Sequence, residues 1–305
     1  MLRTIMVRLF SLVFLFVFLT FIGLAMQKSR AGSAALVLSG QRADGAEIEK
    51  LRQDLGENDS FGRTFLYSLK KVATFNFGNT IRDQPVMPMV WQGFRHTFVL
   101  AFWAAIFALF YGLFMGISGR IYLKLKARAM KLNYFLLSVP IFIVSLLLLW
   151  VFSLTFSVFP PGGTAGHFWF VLPALALGIK SGARLALFTD EFIDREAKKP
   201  YVLTARASGI PSWKIYSFFV VKNMLLPLLS FWLLEFGSYL AGAAIVETIF
   251  SVPGIGSLLL RALMQYDLNL ILGALVFIAV LIFTITIIQE ILDKIYAKYT
   301  SEQAI

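Results

Sequence analysis

The chain of 305 residues has no cysteine and only two histidines. Without thiols it has neither disulfides nor thiolate metal sites. His96 and His167 stand far apart in sequence with no ligand cluster beside them, so each reads as a structural or interfacial side chain. No metal and no cofactor is expected. Charge is scarce as well. Asp, Glu, Lys and Arg make up 15% of the residues, and acids are the rarer sign, 17 against 28 bases. Nucleotide chemistry has no foothold. A phosphate-binding loop needs Gly-x4-Gly-Lys-Ser/Thr; Gly40 and Gly45 have the spacing, but Ala46 stands where the lysine belongs. Gly254-Ile255-Gly256 lacks the third glycine and the strand-to-helix setting of a dinucleotide fingerprint. No His-Glu-x-x-His or Gly-x-Ser-x-Gly occurs. The chain is not expected to be an enzyme, and any energy-coupled work it does must draw on a partner.

What is abundant is apolar surface. Apolar residues account for 58% of the chain, Phe alone for 31 positions, and mean hydropathy is +0.77. A water-soluble globule is excluded on that ground. The net charge of +11 suits cytoplasmic flanks of membrane helices and anionic lipid; no RNA- or DNA-binding module is present, so nucleic acid is not an expected partner. A bilayer core of about 30 Å requires about 20 apolar residues in helix. Six stretches qualify, roughly 7–27, 97–119, 132–156, 168–188, 225–247 and 270–292. The first could be a secretory signal, since Arg3 and Arg8 precede an apolar run. The length of Leu9 to Met26 and the unsuitable Gln27-Lys28-Ser29-Arg30 junction favour an uncleaved span.

Loop charge orients the spans. Residues 120–131 carry Arg120, Lys124, Lys126, Arg128 and Lys131 with no acid, and residues 189–224 are again basic. The connection around Pro160-Pro161-Gly162-Gly163 has neither Lys nor Arg, and 248–269 has only Arg261. The alternation places both termini and the basic loops in the cytoplasm. Residues 28–95 then lie outside as a small insertion, with helices expected over Ala46–Leu55 and Phe61–Val72.

Two spans hold ionisable groups. Lys180 and Arg184 share a face of span four. They either snorkel or pair near the interface, or take part in gating. Glu235 lies eight residues beyond Pro227, about 12 Å into the membrane. It either lines a translocation path, pairs with Lys180 or Arg184, or stays protonated. An ion-gradient transporter with Glu235 as proton carrier is the rival reading.

The most specific segment is 201–227. A short helix with Ala205 and Ala207 stops at Gly209, and a second helix begins near Pro211 and runs to Pro227. Tyr201, Val202, Thr204, Ala205, Arg206, Ala207 and Gly209, followed by Lys222-Asn223 and a Leu-Leu-Pro end eighteen residues after Gly209, resemble the cytoplasmic coupling loop of ABC importer permeases. The oligopeptide/dipeptide branch is the nearest in pattern. Leu203 and Pro200 depart from it. After span five, Glu247-Thr248-Ile249-Phe250-Ser251-Val252-Pro253-Gly254-Ile255-Gly256 resembles that branch's outer turn, with Glu247, Pro253, Gly254 and Gly256 as its marked positions.

The resemblance covers about 95–293 and implies an all-α, six-span, type I importer permease in a bacterial inner membrane. It implies a division into 1–94, a transport domain at 95–293 with its coupling loop at 189–226, and a cytoplasmic tail at 294–305. It implies that Tyr201, Thr204, Ala205, Arg206, Ala207 and Gly209 meet a separate ATPase subunit. The other implied partners are a second homologous permease and an extracytoplasmic substrate-binding protein. Peptide is the implied cargo, with nickel complexes, glutathione or sugars carried by relatives.

Overall fold

The computed structural model describes residues 11, 13–18, 20–25, 60–121 and 123–302. The expected helix at Ala46–Leu55, the Gly40/Gly45 pair and the Gln27–Arg30 junction lie outside these residues. Among the described residues the chain is helical with one isolated antiparallel bridge, Asn79 with Pro85. The helices are α1 (Val13–Ala25), α2 (Phe61–Thr74), α3 (Val86–Ile121), α4 (Leu123–Ser138), α5 (Ile141–Leu148), α6 (Val171–Glu196), α7 (Pro200–Ala207), α8 (Ser212–Lys214), α9 (Val221–Ile249), α10 (Ile255–Gln265) and α11 (Leu268–Glu302). π-helical turns at Leu149–Thr155 extend α5, and others at Ile215–Val220 join α8 to α9.

Two compact units interleave along the chain: Met1–Thr97 with Pro253–Phe283, and Phe98–Val252 with Thr284–Ile305. The first unit is centred on buried Phe77, Val86, Val90, Ile255 and Leu272. Gly273 lets Val86 approach to where a Cβ would stand 2.5 Å from it. Polar bonds close the rest. Asp267 accepts the backbone N–H of Leu270 at 3.1 Å, capping the start of α11, and that of Ile81 at 2.8 Å. Asn269 donates to the Asn79 carbonyl and accepts from Lys71. Burial raises the Asp267 carboxyl above the ordinary carboxylate range, against the opposing pull of those N–H groups and Lys71. The Phe75–Thr80 turn is therefore a fixed part of this unit; Phe75 and Gly78 both take positive φ.

The second unit is built on close helix approach. Two Gly-x3-Gly pairs, Gly112/Gly116 on α3 and Gly178/Gly182 on α6, face the partner helix. A Cβ would fall 2.6 Å from Leu185 at Gly112, 2.5 Å from Thr189 at Gly116, 2.7 Å from the Ala104 carbonyl at Gly178 and 2.9 Å from Tyr111 at Gly182. In lipid, where burying an apolar face gains little, such dispersion contact between backbones is what holds helices together. Polar side chains add to it: Trp232 Nε1 donates to the Ala105 carbonyl at 3.1 Å, and the Tyr111 hydroxyl to Asn133 at 2.9 Å.

The span count differs from the six runs of the sequence. Among the described residues, Val86–Ser118, Val171–Glu196 and Leu268–Ile295 are single helices long and apolar enough to cross a membrane, and two bent pairs bring the number to five. Val13–Ala25 is shorter. The apolar run 132–156 is not one rod: Lys126–Ser138 and Ile141–Thr155 meet at 100°. Pro140 has no N–H and drives Val139 out of the helical region, so the helix stops at Ser138 and restarts after the proline. Conversely, Pro227 does not end its helix. It lies inside α9, and the axis turns by 65° between Ser212–Met224 and Pro227–Tyr239. The basic 189–224 loop is also more helical than expected, because α6 continues to Glu196.

Candidate functional site

The elbow between α6 and α9 is built by local chemistry. Lys199 is extended, Pro200 occupies the first helical turn where its missing N–H costs nothing, and α7 runs for two turns. It closes at Gly209, whose φ of +75° suits glycine. The Gly209 N–H donates to the Arg206 carbonyl at 3.0 Å and the Ile210 N–H to the Ala205 carbonyl at 3.1 Å. That double bond pattern is the Schellman closure of a helix. Pro211 then caps α8 in extended conformation.

The elbow carries its own small core of Ile193, Val202, Ala205, Ile215, Tyr216 and Val220. This sorts the residues expected at a docking surface. Tyr201, Ala205 and Arg206 are turned toward the elbow itself. The Tyr201 hydroxyl donates to buried Glu196 at 2.6 Å, and Lys199 pairs with the same carboxylate at 2.5 Å. Burial, followed by the bond to Glu196, pushes the Tyr201 phenol above its ordinary value. Arg206 donates to the Tyr216 hydroxyl and lies over its ring. Thr204, Ala207 and Gly209 are exposed, together with Leu203 and Trp213. The outward face of α7 thus sets Thr204, Ala207 and Gly209 beside exposed Leu203, with partly outward Arg206 as its one charge, and the elbow's own core backs it. Glu196 had no signal of its own in the sequence; its spacing of five residues before Tyr201 could have pointed to it.

The remaining marked residues fall in two places. Glu247, fully buried in the second unit, closes α9: its carbonyl accepts the Val252 N–H at 2.7 Å across Ser251, which has a φ of 51°. Pro253, Gly254 and Gly256 belong to the first unit. Thr97 Oγ1 accepts the Ile255 N–H at 2.9 Å, His96 Nδ1–H donates to the Pro253 carbonyl at 3.2 Å, and a Cβ on Gly93 would stand 3.1 Å from Ile255 N. His96 is structural, as its isolation implied. The turn is fixed by close backbone packing, and none of these groups is arranged for catalysis.

Glu235 is 6% exposed and forms an ion pair with Arg184 at 2.7 Å. The pairing alternative is therefore the observed one, with Arg184 rather than Lys180 as the partner. Arg184 Nη2 also donates to Ser181 Oγ at 3.3 Å.

The two basic connections meet: Lys126 of the first reaches Asp190 at 3.1 Å and Asp194 at 3.3 Å on α6. The uncharged connection meets the segment after α9, where the Gly163 N–H donates to the Phe250 carbonyl at 2.9 Å.

With this geometry in place, comparison with known proteins decides the family. The model for "Binding-protein-dependent transport system inner membrane component" matches residues 108–298. The chain belongs to that family. It is similar, at 29% identity over 87% of each chain, to the glutathione transport system permease protein GsiC of Pectobacterium atrosepticum. It is 29% identical over 72% of each chain to the dipeptide transport system permease protein DppB of Bacillus subtilis, and 26% identical over 86% of each to GsiC of Escherichia coli strain K12. The protein is accordingly a multi-pass inner-membrane permease subunit of an ABC importer and not an enzyme. Its family works with ATPase and substrate-binding partners in other chains.

Proposed function

We propose that this permease forms half of a peptide translocation pore and receives mechanical work through the α7 elbow. A second, homologous permease completes the pore, a substrate-binding protein delivers cargo from outside, and an ATPase pair grips Thr204, Ala207 and Gly209. Tyr201, Ala205 and Arg206 stiffen the lever rather than form its outer contact. The observation that carries this reading is the elbow: a braced helix whose exposed face carries a single charge, Arg206, fits helix-in-groove docking. Rigid closure of the ATPase pair then moves α7, and the packed α3–α6 pair transmits that motion. Lipid covers the remaining apolar faces.

Six spans, with both termini in the cytoplasm, fit the pattern of contacts. The two basic connections touch each other, and the connection around Gly163 touches the one that follows α9. The transport domain is taken as 95–293, the preceding 1–94 as the first span and its outer insertion, and 294–305 as the tail. The relatives' named cargoes, a dipeptide and glutathione, are both short peptides, and we assign this chain the same class.

Ala207→Glu tests the lever. Ala207 is exposed, so the charge is accommodated in the isolated chain while it blocks a groove. The expected outcome is normal membrane insertion with loss of ATP-driven uptake, and the same for Gly209→Glu. Wild-type uptake by Ala207→Glu contradicts docking through this face.

A further inference from the structure

The Arg184–Glu235 pair has a physical problem that the monomer does not solve. Arg184 lies thirteen residues into α6, about 20 Å from its first turn, well within a helix long enough to span. Its side chain is nonetheless 48% exposed, while that of Glu235 is 8% exposed. A guanidinium at that depth is not left facing hydrocarbon. The exposed side of Arg184 therefore meets water or protein.

The charge count at the site is unequal. Lys180, one turn earlier on the same face of α6, adds a second cation to the single carboxylate of Glu235. Both bonds of Arg184, to Glu235 and to Ser181, leave from Nη2. The guanidinium has five N–H donors, so among the described residues these two bonds leave the Nε and Nη1 donors available to a further acceptor. Glu235, held in place by burial, fixes one arm of the fork, and the 48% exposure of the Arg184 side chain leaves the rest of it accessible. An arginine fork of this kind selects carboxylates by geometry as well as charge.

We infer that Arg184 and Lys180 form a carboxylate-recognising station on the translocation path, oriented by Glu235, which takes the C-terminal carboxylate of a peptide in transit. The inference rests on the permease reading above and names the chemical group that its path recognises. Glu235 is here a positioning residue; Arg184 is the group that touches cargo.

The test uses the whole complex, reconstituted with its ATPase, second permease and binding protein, and two probes with free carboxylates, trialanine and glutathione. R184Q is expected to raise the half-saturating concentration, or lower uptake, by about 10- to 100-fold, the range for one lost charge-assisted bond. R184K should recover part of this. R184Q leaves buried Glu235 without its counter-ion, so uptake is expressed per assembled complex. The double variant R184Q/E235Q, which removes both charges, should restore the yield but not the uptake. E235Q should weaken uptake less than R184Q. Because the chain has no cysteine, R184C provides a single thiol. It should react with a water-soluble anionic thiol reagent, and trialanine should protect it during turnover. Wild-type uptake by R184Q overturns the inference. So does loss of assembled complex in R184Q together with an unreactive R184C thiol, which places Arg184 in a permease–permease interface instead. No ATP-dependent uptake of either probe by the wild type contradicts the peptide-cargo reading beneath it, and the inference with it.

Discussion

Replacing Gly178 by alanine tests whether close helix approach holds the second unit together. The added Cβ would lie 2.7 Å from the Ala104 carbonyl oxygen and 2.9 Å from Phe107 Cδ1. The ring edge can rotate; the carbonyl belongs to the backbone of α3 and cannot. Reaching an ordinary separation near 3.4 Å requires α3 and α6 to part by roughly 0.7 Å, and that displacement also loosens the contacts at Gly112, Gly116 and Gly182. Overpacking of this kind costs about 1–3 kcal/mol. Alanine's better helix propensity offsets about 1 kcal/mol at most, and less where α6 is already held on both sides. The expected net loss is about 1–2 kcal/mol, a fall of about 5- to 30-fold in the folded-to-unfolded ratio. Gly237→Ala is the matched control. It also lies within a helix of the same unit, but its Cβ would meet only Ile285 Cγ2 at 3.8 Å, an ordinary contact. Reversible unfolding in mixed micelles, followed by circular dichroism, compares the two. Equal stability of Gly178→Ala and Gly237→Ala refutes the packing argument.

Other outcomes follow from single groups. Tyr201→Phe leaves buried Glu196 with Lys199 as its remaining partner in the elbow, and should cost the elbow about 1.5–3 kcal/mol, visible as faster amide exchange at Gly209 and Ile210. The Tyr201 phenol, raised on folding, contributes stability that is complete below its ordinary value near 10 and is lost as pH rises through the folded value. A wild-type minus Tyr201→Phe absorbance titration should accordingly show no tyrosinate from this residue at pH 10; full ionisation there contradicts the burial of its hydroxyl. Asp267→Ala removes the acceptor of both Ile81 and Leu270 N–H and should cost about 1–3 kcal/mol for each group left unpaired. Exchange at those two amides should quicken together, and unchanged protection at either one counts against the bond.

The helices themselves were legible because long apolar runs have few alternatives in a bilayer. Gly209 and Pro211 correctly punctuated the elbow, since φ and hydrogen-bond constraints at these residues are local. Hydropathy failed at Pro140, where the apolar run continues through a right-angle turn: the side chains on both sides suit lipid equally well, and only the proline marks the break. It failed in the opposite sense at Pro227, where tertiary packing carries α9 through a residue that bends a helix without having to end it. The candidate site was half visible. Its motif positions were found, but which of them face inward depends on Glu196 and Tyr216, whose contacts cross the elbow. The Lys71–Asn269 bond, between residues 198 apart in sequence, leaves no periodic trace at all.

The central claim is that the outer face of α7 sits in a groove of the ATPase. In the otherwise cysteine-free chain, Ala207→Cys paired with single cysteines along that groove should form a crosslink in the assembled complex, with a yield that changes on nucleotide binding. The same thiol in the intact cell should be unreactive to a membrane-impermeant reagent added outside. Labelling of Ala207→Cys from outside, with no crosslink to the ATPase, contradicts the account.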